Sequence, residues 1–127
     1  MRSLTKAAKI DSTYTYNEST GKYLRLYVCP DGIDSNMVVL FCSNLASGNA
    51  SISVGIKRDS LVIPFLKDKV VSAKDFLHVH GGYVALQPGD EVIAYAPSHN
   101  FSVIATFEET GKVTQPGYGA EPVDVTV

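Results

Sequence analysis

The spacing of the apolar residues is the feature that most constrains the fold of this chain. Apolar residues recur at every second position in much of the sequence, as Ile52, Val54 and Ile56 do within residues 50–57. A period of two is typical of a β-strand with one buried face, whereas a helix requires a period near 3.6. The strands that this alternation predicts most clearly are 22–29, 37–43, 50–57 and 101–108.

Turn-forming residues separate the apolar runs at intervals of about ten residues, as Gln-Pro-Gly-Asp does at 87–90. Pro64 interrupts one run and has no N–H to donate, so that strand is predicted to lie at a sheet edge or to contain a bulge. We therefore predict an all-β fold, an antiparallel β-sandwich of the immunoglobulin-like or jelly-roll-like type, with about eight or nine short strands. The less regular strands are predicted at 13–17, 60–66, 76–80, 83–86 and 91–95.

The two ends of the chain differ from its middle, and 127 residues suit one domain. Residues 1–11 are polar and basic and are predicted to form an N-terminal arm before a sandwich domain at 12–109. Residues 110–127 contain Gly and Pro and end in Val-Asp-Val-Thr-Val, which predicts a C-terminal arm with a terminal strand. That strand is either the last edge strand of the same domain or one that pairs with a neighbouring subunit.

Charge and hydropathy argue against several classes of partner. The formal net charge of −2 provides no broad attraction for nucleic acid or anionic lipid. The N-terminus has no apolar run typical of a signal peptide, and no segment has the roughly eighteen apolar residues of a membrane-spanning helix. We therefore predict a protein with no nucleic-acid partner and no membrane partner.

The two cysteines, Cys29 and Cys42, lie within strand-like runs. Their spacing fits no zinc or redox motif, so buried, reduced thiols are predicted. A disulfide between adjacent strands is the alternative.

The best candidate for a metal site is His78-Val79-His80, with His99 further along the chain. Residues i and i+2 of a strand share a face, so both imidazoles could bind one metal ion. A similar His-x-His occurs in cupins, but the positions where cupins carry a Glu hold other residues here, beginning with Gly81 and Gly82. Two ligands without a third do not complete a site. No metal and no cofactor are predicted, and a cupin-like metal enzyme remains an alternative.

Other catalytic signatures are missing from the sequence. There is no Gly-x-Ser-x-Gly nucleophile motif. The sequence Gly-Tyr-Gly at 117–119 neither follows a strand nor opens a helix, as a phosphate-binding loop does. We therefore predict no catalytic residues and no enzymatic activity.

Tyrosines are the main candidates for contact residues, because Tyr combines a large apolar ring with a polar tip and is enriched in protein interfaces. In residues 22–29 the leucines are assigned to the inner face, which assigns Tyr23 and Tyr27 to the outer one. Stacking of bases on tyrosines beside basic residues would be a nucleic-acid alternative. The predicted protein-contact residues are Tyr14, Tyr16, Tyr23, Tyr27, Tyr83, Tyr95 and Tyr118, together with Val123, Val125 and Val127 of the terminal strand.

Five features of the sequence occur together in a recognisable order. They are a Tyr-rich first strand (Tyr14-Thr15-Tyr16), a strand at 38–44 that ends in Asn44, an alternating strand at 52–56, the turn Leu86-Gln87-Pro88-Gly89-Asp90, and a final strand that ends near Glu108. In this pattern, the stretch from about Thr13 to Glu109 resembles small β-sandwich virion proteins of tailed bacteriophages.

This resemblance implies a structural role without enzymatic activity. It implies a head decoration (cement) subunit that binds and stabilises the capsid lattice, or an accessory subunit of the neck, tail or baseplate. The implied partners are the major capsid protein or neck and tail subunits, with self-association, and the implied location is the virion, assembled in the host cytoplasm. A carbohydrate- or receptor-binding β-sandwich module is the alternative from a different functional class.

Overall fold

The computed structural model describes residues 2–11, 21–97, 100–111 and 121–125, and for 80–83, 121 and 123–125 it describes the backbone alone. No helix in these ranges has the length and apolar character needed to cross a membrane. The strands formed by these residues are β1 (Arg2–Ile10), β2 (Gly21–Val28), β3 (Ile33–Asn44), β4 (Ala50–Arg58), β5 (Leu61–Val71), β6 (Phe76–Leu86), β7 (Glu91–Tyr95), β8 (Phe101–Gly111) and β9 (Glu121–Val125).

The strands form two antiparallel sheets that pack against each other. One sheet has four strands in the order β1-β8-β3-β6, and the other has five in the order β5-β4-β7-β2-β9. The first eight strands pair as nested partners: β1 with β8, β2 with β7, β3 with β6 and β4 with β5. This is the arrangement of a jelly roll, in which one long hairpin is wound across two sheets. The predicted antiparallel β-sandwich is confirmed, and its strand order is that of a jelly roll.

The core lies between the two sheets and is built from the residues that alternate inward. Leu40 and Phe107 of the four-stranded sheet and Leu26 and Ile52 of the five-stranded sheet are fully buried. Each fully buried side chain of this size contributes about 1.5–3 kcal/mol, so this core is the main source of folding free energy. It is also the reason why the alternation in the sequence predicts these strands well.

The four clearest predicted strands are confirmed as β2, β3, β4 and β8. The strands predicted at 76–80 and 83–86 form one strand, β6. Met37 pairs with Val84 and Val39 with His80, so three residues of β6 lie opposite the single residue Val38. The Gly-Gly pair at 81–82 is therefore part of a bulge rather than of a turn. The strand predicted at 13–17 lies outside the described residues.

Both ends of the described chain belong to the sheets. The N-terminal residues, expected as a polar arm, form β1, which pairs with β8 without a register shift. Its polar composition is compatible with an edge strand because only one face, including Leu4 and Ala8, packs on the core. At the other end, β9 pairs with β2 of the same chain, so the terminal strand is an edge strand of this sheet.

Strand β5 is the edge strand that Pro64 predicts. Its pairing with β4 shifts in register on both sides of Val54. At Gly55 the two backbones come so close that a Cβ would lie 2.7 Å from Ile63 O and from Pro64 Cα. Only glycine fits at this position unless β5 moves.

The predicted turn at 87–90 is present, and its aspartate ties it to the hairpin between β4 and β5. Gly89 adopts φ +89°, and the Asp90 N–H donates to Gln87 O at 3.0 Å. The Asp90 carboxylate accepts hydrogen bonds from Arg58 Nε (2.9 Å), Arg58 Nη2 (2.7 Å) and Gln87 N (2.8 Å). The hydrogen bonds from Arg58 hold the pKa of Asp90 below its ordinary value.

Candidate functional site

A row of paired side chains crosses the outer face of the four-stranded sheet, apolar on β1, β8 and β3 and ending at a histidine on β6. Ala7 of β1 pairs with Ile104 of β8, Ile104 with Phe41 of β3, and Phe41 with His78 of β6. Ile104 is 43% exposed, and Phe76, two residues before His78 on the same side of β6, is 58% exposed. We call this surface, centred on these five residues, the open face. Contiguous exposed apolar surface of this kind is typical of interaction sites.

The Phe41 ring contacts two other rings near the β6 edge of the open face. The Phe41 ring stacks on the His78 imidazole, with centroids 4.0 Å apart and planes 7° apart. The Phe76 ring lies 6.0 Å from that of Phe41, tilted by 41°. Because the rings restrict one another, they lose little side-chain entropy when a partner covers them.

A shallow cavity of about 340 Å³ adjoins the open face beside Phe76. Asn44, one of its lining residues, is buried, and its side chain is hydrogen-bonded within the fold: the amide donates to Gly48 O and Val71 O, and Oδ1 accepts from Ala46 N. The polar groups left to line the cavity therefore belong to its other residues. The lining comprises Ser43, Asn44, Leu45, Lys74, Asp75 and Phe76.

The outer face of the five-stranded sheet is different at its centre, where the apolar residues are buried, whereas Val70, paired with Ser51 near one end of β5, is 62% exposed. Tyr23, Ile93 and Tyr95 form a second apolar cluster separate from the core, and Val62 of β5 packs against it. Ile93 has no exposed surface. The Lys67 ammonium lies 5.6 Å from the centre of the Tyr95 ring, a cation–π contact. We call this surface the closed face.

A small ion cluster continues the closed face. The carboxylate of Glu91 lies 3.6 Å from Arg25 Nη1 and 3.8 Å from Lys57 Nζ. Glu91 lies on β7 and thus bridges cations on the two strands that flank β7, namely β2 and β4. Partly exposed pairs of this geometry contribute less than about 1 kcal/mol each, so the cluster sets local polarity more than stability.

Three of the tyrosines predicted as surface contacts are buried. Tyr23 and Tyr95 are 2% and 4% exposed in the cluster of the closed face. Tyr27 was expected on the outer face but lies in the core between the sheets. The reason is a register shift between Arg25 and Tyr27 in the pairing of β2 with β7, which breaks the alternation by one residue.

Tyr27 belongs to a buried polar network instead of a surface. Its hydroxyl is hydrogen-bonded to Glu109 Oε2 and to Ser35 Oγ, the latter at 3.1 Å. Glu109 is also buried, and its Oε1 lies 3.2 Å from Arg2 Nε of the first strand. Burial, and next the bond to Glu109, raise the pKa of Tyr27 above its ordinary value, so the hydroxyl remains a donor. The network therefore joins β1, β2, β3 and β8 inside the sandwich.

The remaining predicted contact residues have a more limited description. The backbone of Tyr83 lies in the bulged part of β6. In β9, Val123 pairs with Tyr23 and Val125 with Gly21. Outside the described residues lie Tyr14, Tyr16, Tyr118 and Val127.

The histidine of the candidate metal site whose side chain is described, His78, and the two cysteines occupy different surroundings. The side chain of His80 and the whole of His99 lie outside the described residues. His78 lies on the open face against Phe41, not in the core between the sheets. Among the described residues, no three His, Cys, Asp or Glu side chains could hold one metal ion. Both cysteines are free and buried, so the alternative of a disulfide is not realised. Burial raises the pKa of Cys29 to about 11 and that of Cys42 to about 12.

The sequence contains a signal for the open face, but it is carried by an isoleucine and not by the tyrosines that were predicted as contact residues. In residues 101–108 the alternation assigns Ile104 to the polar side of the strand, together with Ser102 and Thr106. An isoleucine at an outward position, paired on β3 with an outward phenylalanine, indicates an apolar outer surface.

Comparison of the chain with known proteins finds no matching family model, no matching curated protein and no matching solved structure.

Proposed function

We propose that this chain is a non-enzymatic structural subunit of a virion, namely a head decoration subunit that binds and stabilises a capsid lattice. The observation that carries the proposal is the open face, where Ile104 and Phe76 are exposed beside Phe41. Burying such side chains against a partner is worth about 25 cal/mol for each Å² of apolar surface covered.

The fold is compatible with this role but does not select it. Jelly rolls occur in viral capsid proteins, in lectin domains and in cupins. These are the three functional classes that the sequence also left open, and a fold alone does not distinguish between them. The sequence pattern from Thr13 to Glu109 favours the virion class, and the exposed apolar surface favours protein contact.

Cosedimentation with purified capsid shells tests the proposal. The shells should be assembled from the major capsid protein of the phage genome that encodes this chain, and binding should be saturable. Ile104→Lys should abolish binding, because an ammonium group would have to be desolvated in the contact. Ile63→Lys is the matched control, since Ile63 is 49% exposed on the edge strand β5, and it should bind normally.

Two results would contradict the head role. If shells do not bind the wild-type chain but purified tails do, the subunit belongs to the neck, tail or baseplate. If neither particle binds it, the virion role is wrong.

The cavity beside Phe76 supports a second candidate, a carbohydrate-binding module. An exposed aromatic ring next to polar groups, here Ser43 and Asp75, suits a sugar, whose ring has one apolar face and a polar rim. A glycan array with Phe76→Ala as the control tests this candidate. Binding that is lost in the variant would support it, and an array without wild-type binding would exclude it for the glycans present.

A further inference from the structure

We propose that the partner of the open face is a second copy of this chain, packed face to face about a two-fold axis. This inference rests on the proposed function in one respect, that the open face is a contact surface: the second copy covers it in the free chain, and a capsid shell competes with the weak dimer for the same face. It adds the identity of the occupant and the way in which the two sheets are aligned.

The edges of the sheets are poorly suited to association, which leaves the faces. Pro64 in β5 and Pro122 in β9 have no N–H to donate to another strand. Lys6 of β1 lies on the face of the strand that is turned towards the core, so this edge carries an inward charge. The other edge strand of the same sheet, β6, is interrupted by its bulge. Prolines, bulges and inward charges are the features by which edge strands avoid pairing with other chains.

Among the described residues within the four strands, the charges on the open face have opposite signs at the two ends, so these charges complement each other in a second copy; Asp11, Lys74 and Asp75, outside the strands at the Lys9 end, are also exposed. Lys9 pairs with Ser102 at one end of the sheet, and Glu108 pairs with Ser3 at the other end. These two positions are six residues apart along β8, which is about 20 Å. Asp34, exposed on β3 and paired with Thr110, adds a second negative charge at the Glu108 end.

A two-fold axis that lies in the plane of contact and runs perpendicular to the strands places the positive end of one copy over the negative end of the other. It brings Lys9 of one copy to the end that holds Glu108 of the second copy, and the reverse. It also places the row of Ile104 and Phe41 of each copy opposite the row of Thr106 and Val39 of the other copy. The apolar centre is then covered on both copies, and the opposite charges meet at both rims, as in other isologous interfaces.

The size of the face predicts a weak, reversible dimer. Four strands about 4.8 Å apart and about seven residues long give a flat footprint of roughly 450 Å² per copy. Two such footprints bury less than the ~1,200 Å² of typical stable complexes. Dissociation in the micromolar range is therefore expected, and the dimer should form as the concentration rises.

Sedimentation equilibrium over about 5 to 500 µM tests the inference. The wild-type chain should pass from monomer to dimer. Ile104→Lys and Ala7→Glu, both at exposed positions that tolerate a polar side chain, should weaken the dimer at least tenfold, whereas Ile63→Lys on β5 should leave it unchanged. Circular dichroism of each variant verifies that the sheets are intact.

Charge reversal tests the alignment separately. Lys9→Glu and Glu108→Lys should each weaken the dimer by roughly three- to tenfold, and the double variant should recover the wild-type constant, because the opposite charges meet again. A wild-type chain that stays monomeric to 500 µM, or a dimer that Ile104→Lys leaves intact, would overturn the inference. A double variant weaker than both single ones would overturn the alignment.

The two proposals fail in different ways. A monomer whose binding to capsid shells is lost in Ile104→Lys would overturn the second-copy partner and leave the proposed function standing. A dimer that binds neither shells nor tails would overturn the proposed function and leave the second copy as the partner of the open face.

Discussion

The two outer faces of this sandwich use similar residues to opposite effect. Ile93 and Ile104 both point away from the core, one on each sheet, yet Ile93 is fully buried and Ile104 is 43% exposed. Tyr23 and Tyr95 are buried beside Ile93, while Phe76 is exposed on the opposite face. The alternation along a strand fixes which way a side chain points, but tertiary contacts decide whether that side is covered.

The largest expected difference is between these two isoleucines. Ile93→Ala should lower the free energy of unfolding by about 2–5 kcal/mol, because it leaves a cavity in the cluster of the closed face. Ile104→Ala should cost less than about 0.5 kcal/mol in the monomer, since water already reaches the side chain. Urea denaturation at low concentration measures both values. Equal losses would contradict the distinction between the faces.

The buried polar network gives the next largest effect. Tyr27→Phe should lower the free energy of unfolding by about 1.5–3 kcal/mol, because the carboxylate of Glu109 loses a hydrogen-bond donor while it stays buried. Self-association should be unchanged, since the ring lies in the core. If the variant unfolds like the wild type but no longer dimerises, Tyr27 is the contact residue that its sequence position predicts. A double-mutant cycle with Glu109→Gln isolates the pair.

A third change tests how β5 contributes to the closed face. Gly55→Ala should cost about 1–3 kcal/mol, because the new methyl group would push the backbone of β5 at Ile63 and Pro64. Gly48→Ala is the matched control, since a Cβ there meets nothing within 4 Å. Differential scanning calorimetry of both variants measures the difference. Similar melting temperatures would show that β5 yields without cost.

The smallest effect is a dependence of stability on pH from Asp90. Because its pKa is lowered in the folded state, the stabilisation is present above the unfolded value near 3.9 and is lost as pH falls through the lower, folded value. Asp90→Asn should therefore be less stable than the wild type at pH 7, and the difference should narrow below about pH 4. The narrowing should be smaller in an Arg58→Met background, and a constant difference would contradict the assignment. Urea titrations at both pH values measure it.

Much of the fold follows from local pattern, and the exceptions have identifiable causes. Alternation predicts β4 and β8 because one face of each strand packs on the core, and Gln87–Asp90 forms the predicted turn because Pro88 and Gly89 suit its backbone. The first strand was missed because an edge strand needs few apolar residues. Tyr27 was misplaced because a bulge breaks the alternation, which composition does not reveal.

The candidate surface was predictable in part. The outward position of Ile104 follows from the sequence, and so does that of Phe41 once the register of β3 is known. Their meeting on one face depends on the order of strands in the sheet, which brings together residues more than sixty positions apart. The burial of Tyr23 and Tyr95 depends in the same way on contacts that no local pattern contains.

The central claim is that one outer face is closed and the other is open until a partner covers it. The most direct test is NMR of isoleucine δ1-methyl groups with a soluble paramagnetic agent, at low and at high protein concentration. Ile93 should be protected at both concentrations, and Ile63 on the edge of β5 should be broadened at both. Ile104 should be broadened in the dilute monomer and protected when the concentration is high. Broadening of Ile93 to the extent of Ile104, or an Ile104 signal that does not respond to concentration, would contradict the account.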